Sequence, residues 1–285
     1  MNSAQADAYL RRIGAHHPAW PTSGVLRDLH LRHLKAVPFE NLSIHLGEEI
    51  VLEEKELLDK VVGGRRGGFC YELNGAFGAL LGALGFDVTL LAGRVYGEEG
   101  RLGIPYDHLA LRVRTVDGGD WLADVGFGAH SHYPLAFGAR TEQVDPGGTF
   151  RVLEAGPDAA GVRGVGGRRE AEDLDVIRDG GPQYRLEVRP RVLGDFAAGA
   201  WWHSTSPKSH FTRSLVCSRV TEDGGRITLS GRNLTATAPD GTKEVSELAT
   251  DEEVLALYRE RFGIELDRVP EVRKGCILRS GGAEG

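Results

Sequence analysis

Three residues in this chain are of the types that together make an activated nucleophile. Cys70 follows a glycine pair in GGRRGGFCYELN (63–74), His108 opens DHLALRV (107–113), and Asp124 interrupts the apolar run WLADVGFG (121–128). A thiolate attacks carbonyl carbons, an imidazole takes and returns its proton, and a carboxylate fixes the imidazole's tautomer. The chemistry such a set supports is acyl transfer or hydrolysis through an acyl-cysteine.

Placement favours this reading for Cys70. Phe69, Leu73, Phe77, Leu80, Leu81 and Leu84 recur at helical spacing up to Gly85, so Cys70 falls in the first turn of a helix. Free N–H groups and the helix dipole there favour an anion. Gly67 and Gly68 clear side chains from the approach. The competing reading is that Cys70 is a small buried residue of a core.

A proton acceptor must come from elsewhere, and the chain has ten histidines. His16, His17, His30, His33 and His45 lie in or near amino-terminal helices and read as solvent-facing or helix-surface residues. His130 and His132 form an H-x-H pair, but no acidic or thiol ligand stands close in sequence to complete a metal site. His108 differs. Strand alternation sets Leu109, Leu111 and Val113 on one face and His108 with Ala110 on the other, at what reads as the sheet edge. Asp124 on the next strand needs a partner if buried, and an imidazole N–H is a suitable one. A buried His–Asp pair can also be purely structural.

The elements that must position these residues fall into three stretches. SGVLRDLHLRHLKAV is a helix stopped by Pro38, and VLEEKELLDKVV is another that ends at Gly63–Gly64. After Gly85 come β-prone runs, DVTLLAGRVY, HLALRVRTV and WLADVGF, with more at 149–154 and 183–189, read as an antiparallel sheet or partial barrel. The glycine-rich stretch 155–170 lacks a phosphate-loop pattern and reads as a loop. RSLVCSRV and RITLSGRNLTATA are strand-like, and DEEVLALYRERFG is a helix with a Thr250–Glu253 capping box and Gly263 at its end.

Composition narrows the setting. The 285 residues are 41% hydrophobic and 26% charged, enough for a real core. A formal charge of −7 argues against nucleic acid as partner. The amino terminus lacks signal-peptide order, and no apolar run is long enough to span a membrane. The three cysteines suit free thiols, so a cytoplasmic protein without membrane partners is expected. Cys217 reads as strand packing and Cys276 as part of a tail.

Taken together, VPFENLSIHLG (37–47), RGGFCYELN (66–74), DHLALRV (107–113) and WLADVGFG (121–128), with a weaker match in SHFTRSLV (209–216), resemble the arylamine N-acetyltransferases in order and spacing. The resemblance implies a mixed α+β fold with a papain-like Cys-His-Asp site. It places a helical bundle over 1–85, an antiparallel β-barrel over 86–195 and an α/β lid over 196–285. It makes Cys70, His108 and Asp124 the catalytic triad and sets Phe39, Phe127 and Phe211 around the acceptor amine. Gly126 and Gly128 match the loop beside the acyl-CoA. Where the family often has another glycine, this chain continues Ala129-His130-Ser131-His132, which bears on donor preference.

The implied reaction is ping-pong transfer of an acetyl group from acetyl-CoA, as co-substrate, through Cys70 to an aromatic amine or hydrazine, without a metal. The same triad would serve a related amide synthase acting on a polyketide acyl chain, or a papain-like hydrolase. A thiol sensor is a further reading, although it has no use for the His–Asp pair.

Overall fold

The computed structural model describes residues 1–156 and 173–272. The chain begins with α1 (Ser3–Arg12), α2 (Ser23–Ala36), a two-residue strand β1 (Phe39–Glu40), α3 (Leu42–Leu46), α4 (Glu54–Leu58) and α5 (Cys70–Ala83). Thr22 caps α2 by accepting from Val25 N–H, and the helix ends just before Pro38, as its sequence predicts. A π-type turn, Asp59–Gly63, carries α4 to the expected glycine stop. The apolar stripe of α5 is fully buried against α1, α4 and the sheet behind it.

The middle of the chain supplies β2 (Asp87–Val95), β3 (His108–Arg114), β4 (Asp120–Ala123), β5 (Leu135–Ala136), β6 (Gln143–Asp145), β7 (Gly148–Glu154), β8 (Leu174–Arg178) and β9 (Gly181–Arg191). They form one antiparallel sheet in the order β5-β4-β3-β2-β9-β8-β7-β6, curled until β5 meets β7. Alternation along β3 divides its side chains as predicted. Leu109, Leu111 and Val113 join the core built on α5, while Ala110 joins the sheet's interior with Leu122, Tyr184 and Leu186.

Two strand expectations need correction. His108 does not lie at a sheet edge, because β3 runs between β2 and β4 and His108 pairs with Gly93 of β2. Asp124 is not within a strand either, since β4 stops at Ala123 and the chain turns away one residue later.

The last part holds α6 (Ala197–Thr205), α7 (His210–Arg213), β10 (Cys217–Val220), β11 (Arg226–Ser230), β12 (Asn233–Thr237), β13 (Lys243–Glu247) and α8 (Asp251–Leu257). The second sheet runs β1-β10-β11-β12-β13, so Phe39 and Glu40 pair with Ser218 and Cys217 across a long sequence gap. Its core gathers Leu42, Ile227, Leu229, Val254, Tyr258 and the fully buried Cys217. Thr250 and Glu253 form the expected capping box, and Gly263 ends the helical run with a φ of 68°. Stretch 155–170, nearly all of it, and Cys276 lie outside the described residues. Among the described residues no helix is long and apolar enough to cross a membrane. The chain is thus a mixed helix-and-sheet protein in which the ends of β3 and β4 meet the start of α5.

Candidate active site

The start of α5 is fixed by backbone packing first. A Cβ on Gly67 would sit 1.8 Å from the Pro38 carbonyl oxygen, and only glycine allows this crossing. The segment behind it bonds back, with Glu40 N–H donating to Gly68 O at 2.9 Å. Buried ion pairs then brace the turn. Arg66 holds Glu40 at 3.0 Å and Lys60 holds Glu72 at 2.6 Å, while Glu72 accepts from Phe69 N–H at 3.2 Å. Cys70, the first residue of α5, is 5% exposed.

One turn on, Asn74 shares the Cys70 face of the helix. Its Nδ2 donates to Asp124 Oδ1 at 2.8 Å and to Leu109 O at 2.6 Å, and its Oδ1 accepts from Val125 N–H at 3.0 Å. The helix that carries the thiol therefore also holds the carboxylate. Asp124 receives further bonds, from Gly126 N–H at 3.0 Å and from His108 Nε2–H at 2.7 Å. Gly126 is required here, because a Cβ would lie 2.7 Å from Cys70 Cα.

The electrostatics follow from this packing. Burial opposes charge on His108, but the Asp124 charge and hydrogen bond outweigh it, and with a further contribution from Cys70 the pKa is pushed up to about 10. Asp124 is buried as well, which alone would raise its pKa. The His108 charge and hydrogen bond, then His130 and Asn74, hold it well below the usual carboxylate range. With Nε2 committed to Asp124, Nδ1 is the nitrogen left for Cys70.

Several histidines read as surface residues are buried. His30 and His33 are 0% exposed because they fall with Leu26 and Leu29 on the inward stripe of α2, and His45, on α3, is 5% exposed. Of the five histidines in or near the amino-terminal helices, only His16 and His17 are exposed. His30 has a direct part in the site. Its Nδ1–H donates to His132 O at 2.9 Å, and its Nε2 accepts from Asp124 N–H at 3.2 Å. Burial lowers its pKa to about 4, so it stays neutral and keeps this tautomer. Asn74 and His30 are polar residues at apolar-stripe spacing, and that spacing is the signal for their burial in the sequence. His130 packs among Phe127, Phe150 and Tyr184 rather than beside His132 in a metal set. Among the described residues no three His, Cys, Asp or Glu side chains converge as metal ligands.

Cys70 and His108 open into a cavity of about 550 Å³ lined by Phe39, Phe127, Phe211 and Gly126. Phe211 lies 6.1 Å from Phe39 and 5.6 Å from Phe69 between ring centroids, and Phe127 lies 5.1 Å from His108. Gly128 is not among its lining residues; with a φ of 89° it turns the loop past the Phe39 ring. Beyond Ala129 a second cleft of about 400 Å³ runs between the sheets, with Arg178, Arg226 and Lys243 on its walls. Burial, then the Arg178 charge, lowers the Arg226 pKa to about 10, and among the described residues Arg226 pairs with no carboxylate.

A family profile described as N-acetyltransferase matches residues 23–271. An arylamine N-acetyltransferase of Mycolicibacterium smegmatis is 35% identical over 267 residues, covering 90% of this chain and 91% of that one. The solved arylamine N-acetyltransferase from Salmonella typhimurium superposes with a TM-score of 0.82 at 31% identity, covering 96% of this chain and 95% of that one. The Mycobacterium marinum arylamine N-acetyltransferase, solved in complex with CoA, does so with a TM-score of 0.78 at 32% identity, covering 91% and 92%. On these grounds the chain belongs to the arylamine N-acetyltransferase family.

Proposed function

We propose that this protein transfers an acetyl group from acetyl-CoA to the nitrogen of arylamines or arylhydrazines, with Cys70, His108 and Asp124 as its catalytic triad. The observation that carries this reading is the line from Asp124 through His108 to Cys70 at the base of an aromatic-walled cavity.

An imidazolium that keeps its charge at neutral pH stabilises a thiolate beside it. The Cys70 sulfur attacks the thioester carbonyl, the bond to the CoA sulfur breaks, and His108 gives its proton to the departing CoA thiolate. Acetylation removes the negative charge that helped hold that proton, so the ring is a better acid at the moment the leaving group needs one. The amine nitrogen then attacks the acetyl-cysteine, neutral His108 takes the proton from nitrogen, and the Cys70 thiolate leaves. Charges and protons return to their starting places.

Phe39, Phe127 and Phe211 hold the aryl ring, which offsets the weak nucleophilicity of an aniline by positioning it. For the donor, the half-buried Arg226 guanidinium, with no carboxylate partner among the described residues, suits an anion, so the Arg178–Arg226–Lys243 cleft is suited to the CoA phosphates. Gly126 leaves room for the acyl arm beside Cys70. Free thiols at Cys70 and Cys217 agree with a cytoplasmic setting.

Intact mass after mixing with acetyl-CoA tests the reading. One added acetyl group, absent from Cys70→Ala and discharged by an aromatic amine, is the expected result. An unmodified protein under the same conditions overturns acetyl-CoA as donor, and loss of the acetyl group to water faster than to amine makes the protein a hydrolase.

A further inference from the structure

The cavity contains a second histidine–carboxylate pair that the reaction above does not use. His203 Nε2 lies 2.7 Å from Asp107 Oδ1, and both side chains are only 9% exposed and line the cavity. A carboxylate only accepts, so Nε2 carries the hydrogen and Nδ1 accepts from the Ser209 hydroxyl at 3.3 Å. The Ser209 oxygen in turn accepts from Phe211 N–H at 3.1 Å, which caps α7. At the other end, Asp107 Oδ2 accepts from Val95 N–H at 3.0 Å. One unbroken polar chain thus links β2 to the Phe211 wall of the acceptor cavity, and the His203 ring meets the Phe211 ring edge-on at 5.3 Å.

The backbone beside this chain is also held under tension. Tyr106, next to Asp107, has a φ of 59°, unusual for a residue with a side chain. Its carbonyl accepts from Tyr71 O–H at 2.7 Å, one residue from the nucleophile. From the other side α6 presses its backbone against the same carbonyl, where a Cβ on Gly199 would come within 2.6 Å. The helix that carries His203 is therefore seated directly on the entry to β3.

We propose that the Asp107–His203 pair is a positioning device for the aromatic acceptor: it holds Phe211 in place, so loosening it weakens the amine half-reaction and spares formation of the acetyl-cysteine. The selectivity follows from size. An acetyl group needs no aromatic wall, whereas an arylamine is held by little else. The inference rests on the ping-pong reading above.

The test separates the two half-reactions. Quenched-flow mass spectrometry with acetyl-CoA reads acetylation, and discharge of the acetyl-enzyme by increasing 4-methoxyaniline reads the acceptor. His203→Ala should acetylate within about twofold of the wild type, while the half-saturating amine concentration rises about tenfold. His203→Gln, whose amide N–H can still reach Asp107, should recover to within about threefold. If His203→Ala does not fold, Ser209→Ala removes the Nδ1 partner and the α7 cap, and the same split in the same direction is expected. Equal losses in both half-reactions, an unchanged amine dependence, or no recovery in His203→Gln overturns the inference. A wild-type protein that never acetylates overturns the proposed function itself, which the variants' behaviour relative to one another cannot mimic.

Discussion

Asp107 and His108 are neighbours in sequence, yet they belong to two different histidine–carboxylate pairs of the same 2.7 Å length. Both pairs are buried and both border one cavity. They differ in what the remaining imidazole nitrogen meets. On His203 it meets a hydroxyl already committed to capping a helix, and the proton network closes on itself. On His108 it is left for a thiol at the head of a helix, with a cavity open beside it. A His–Asp pair by itself is a brace. It becomes a candidate for chemistry only when its free nitrogen faces a group that can change its bonding.

The sharpest way to break this comparison is to make one substitution in both pairs. His108→Gln keeps a hydrogen bond to Asp124 but cannot accept and return a proton, so acetylation of Cys70 should fall by about 10³-fold or more. His203→Gln should acetylate close to wild type, because no proton moves through that ring. Quenched-flow mass spectrometry measures both. Equal losses would mean that the two pairs are not distinct in kind.

The sequence carried one of these pairs and not the other, for a physical reason. Cys70 at the head of an apolar-periodic helix, His108 on the polar phase of a strand and Asp124 inside an apolar run are each local violations of pattern. His203 is 96 residues from Asp107, in a short helix where nothing local marks it as paired. Strand order is likewise invisible locally: β1 joins β10, and β2 lies between β3 and β9, through long-range pairing. That pairing put β3 inside the sheet where an edge was expected. His30 is a different case, since its spacing from Leu26 and Val37 marked the buried stripe, and only the habit of placing histidine outside hid it.

Asp124→Asn should have the next largest effect. The amide oxygen would keep the bonds from Asn74 Nδ2 and Gly126 N–H, which turns its NH₂ toward His108 Nε2. The ring must then flip tautomer, placing its hydrogen on Nδ1 against Cys70, where it can no longer take a proton. A loss of about 10²- to 10⁴-fold in acetylation is expected, with the protein still folded.

Ionisation sharpens the contrast in a third way. His108 is raised from 6.5 to about 10, so its contribution to stability is fully present below pH about 6.5 and is lost as pH rises through about 10. His30 and His130 are lowered to about 4, so the stability they leave intact above about 6.5 is lost as pH falls through about 4. Thermal stability should therefore peak near neutrality. The alkaline decline, up to about 1.4 kcal/mol per pH unit for one proton, should be largely absent in His108→Gln. Nitrogen-15 NMR of the rings should find His108 still protonated at pH 8 while His30 is neutral; a neutral His108 there would remove the imidazolium from the mechanism.

The smallest effect belongs to Asp107→Asn, and it is the most telling because the chemical change is the same as in Asp124→Asn. The amide oxygen keeps the bond from Val95 N–H, and the NH₂ turns to His203 Nε2, which becomes the acceptor. The ring again flips, now donating from Nδ1 to the Ser209 oxygen, which has a second lone pair beside the one that receives Phe211 N–H. The Ser209 hydroxyl hydrogen is the one donor that loses its acceptor, so the cost should be about 1 to 2 kcal/mol in stability, with the amine dependence within about threefold of wild type. One tautomer flip thus ends the chemistry at His108 and is absorbed at His203. A loss in Asp107→Asn as large as in Asp124→Asn would show that the second pair also moves a proton, and would recast it from brace to participant.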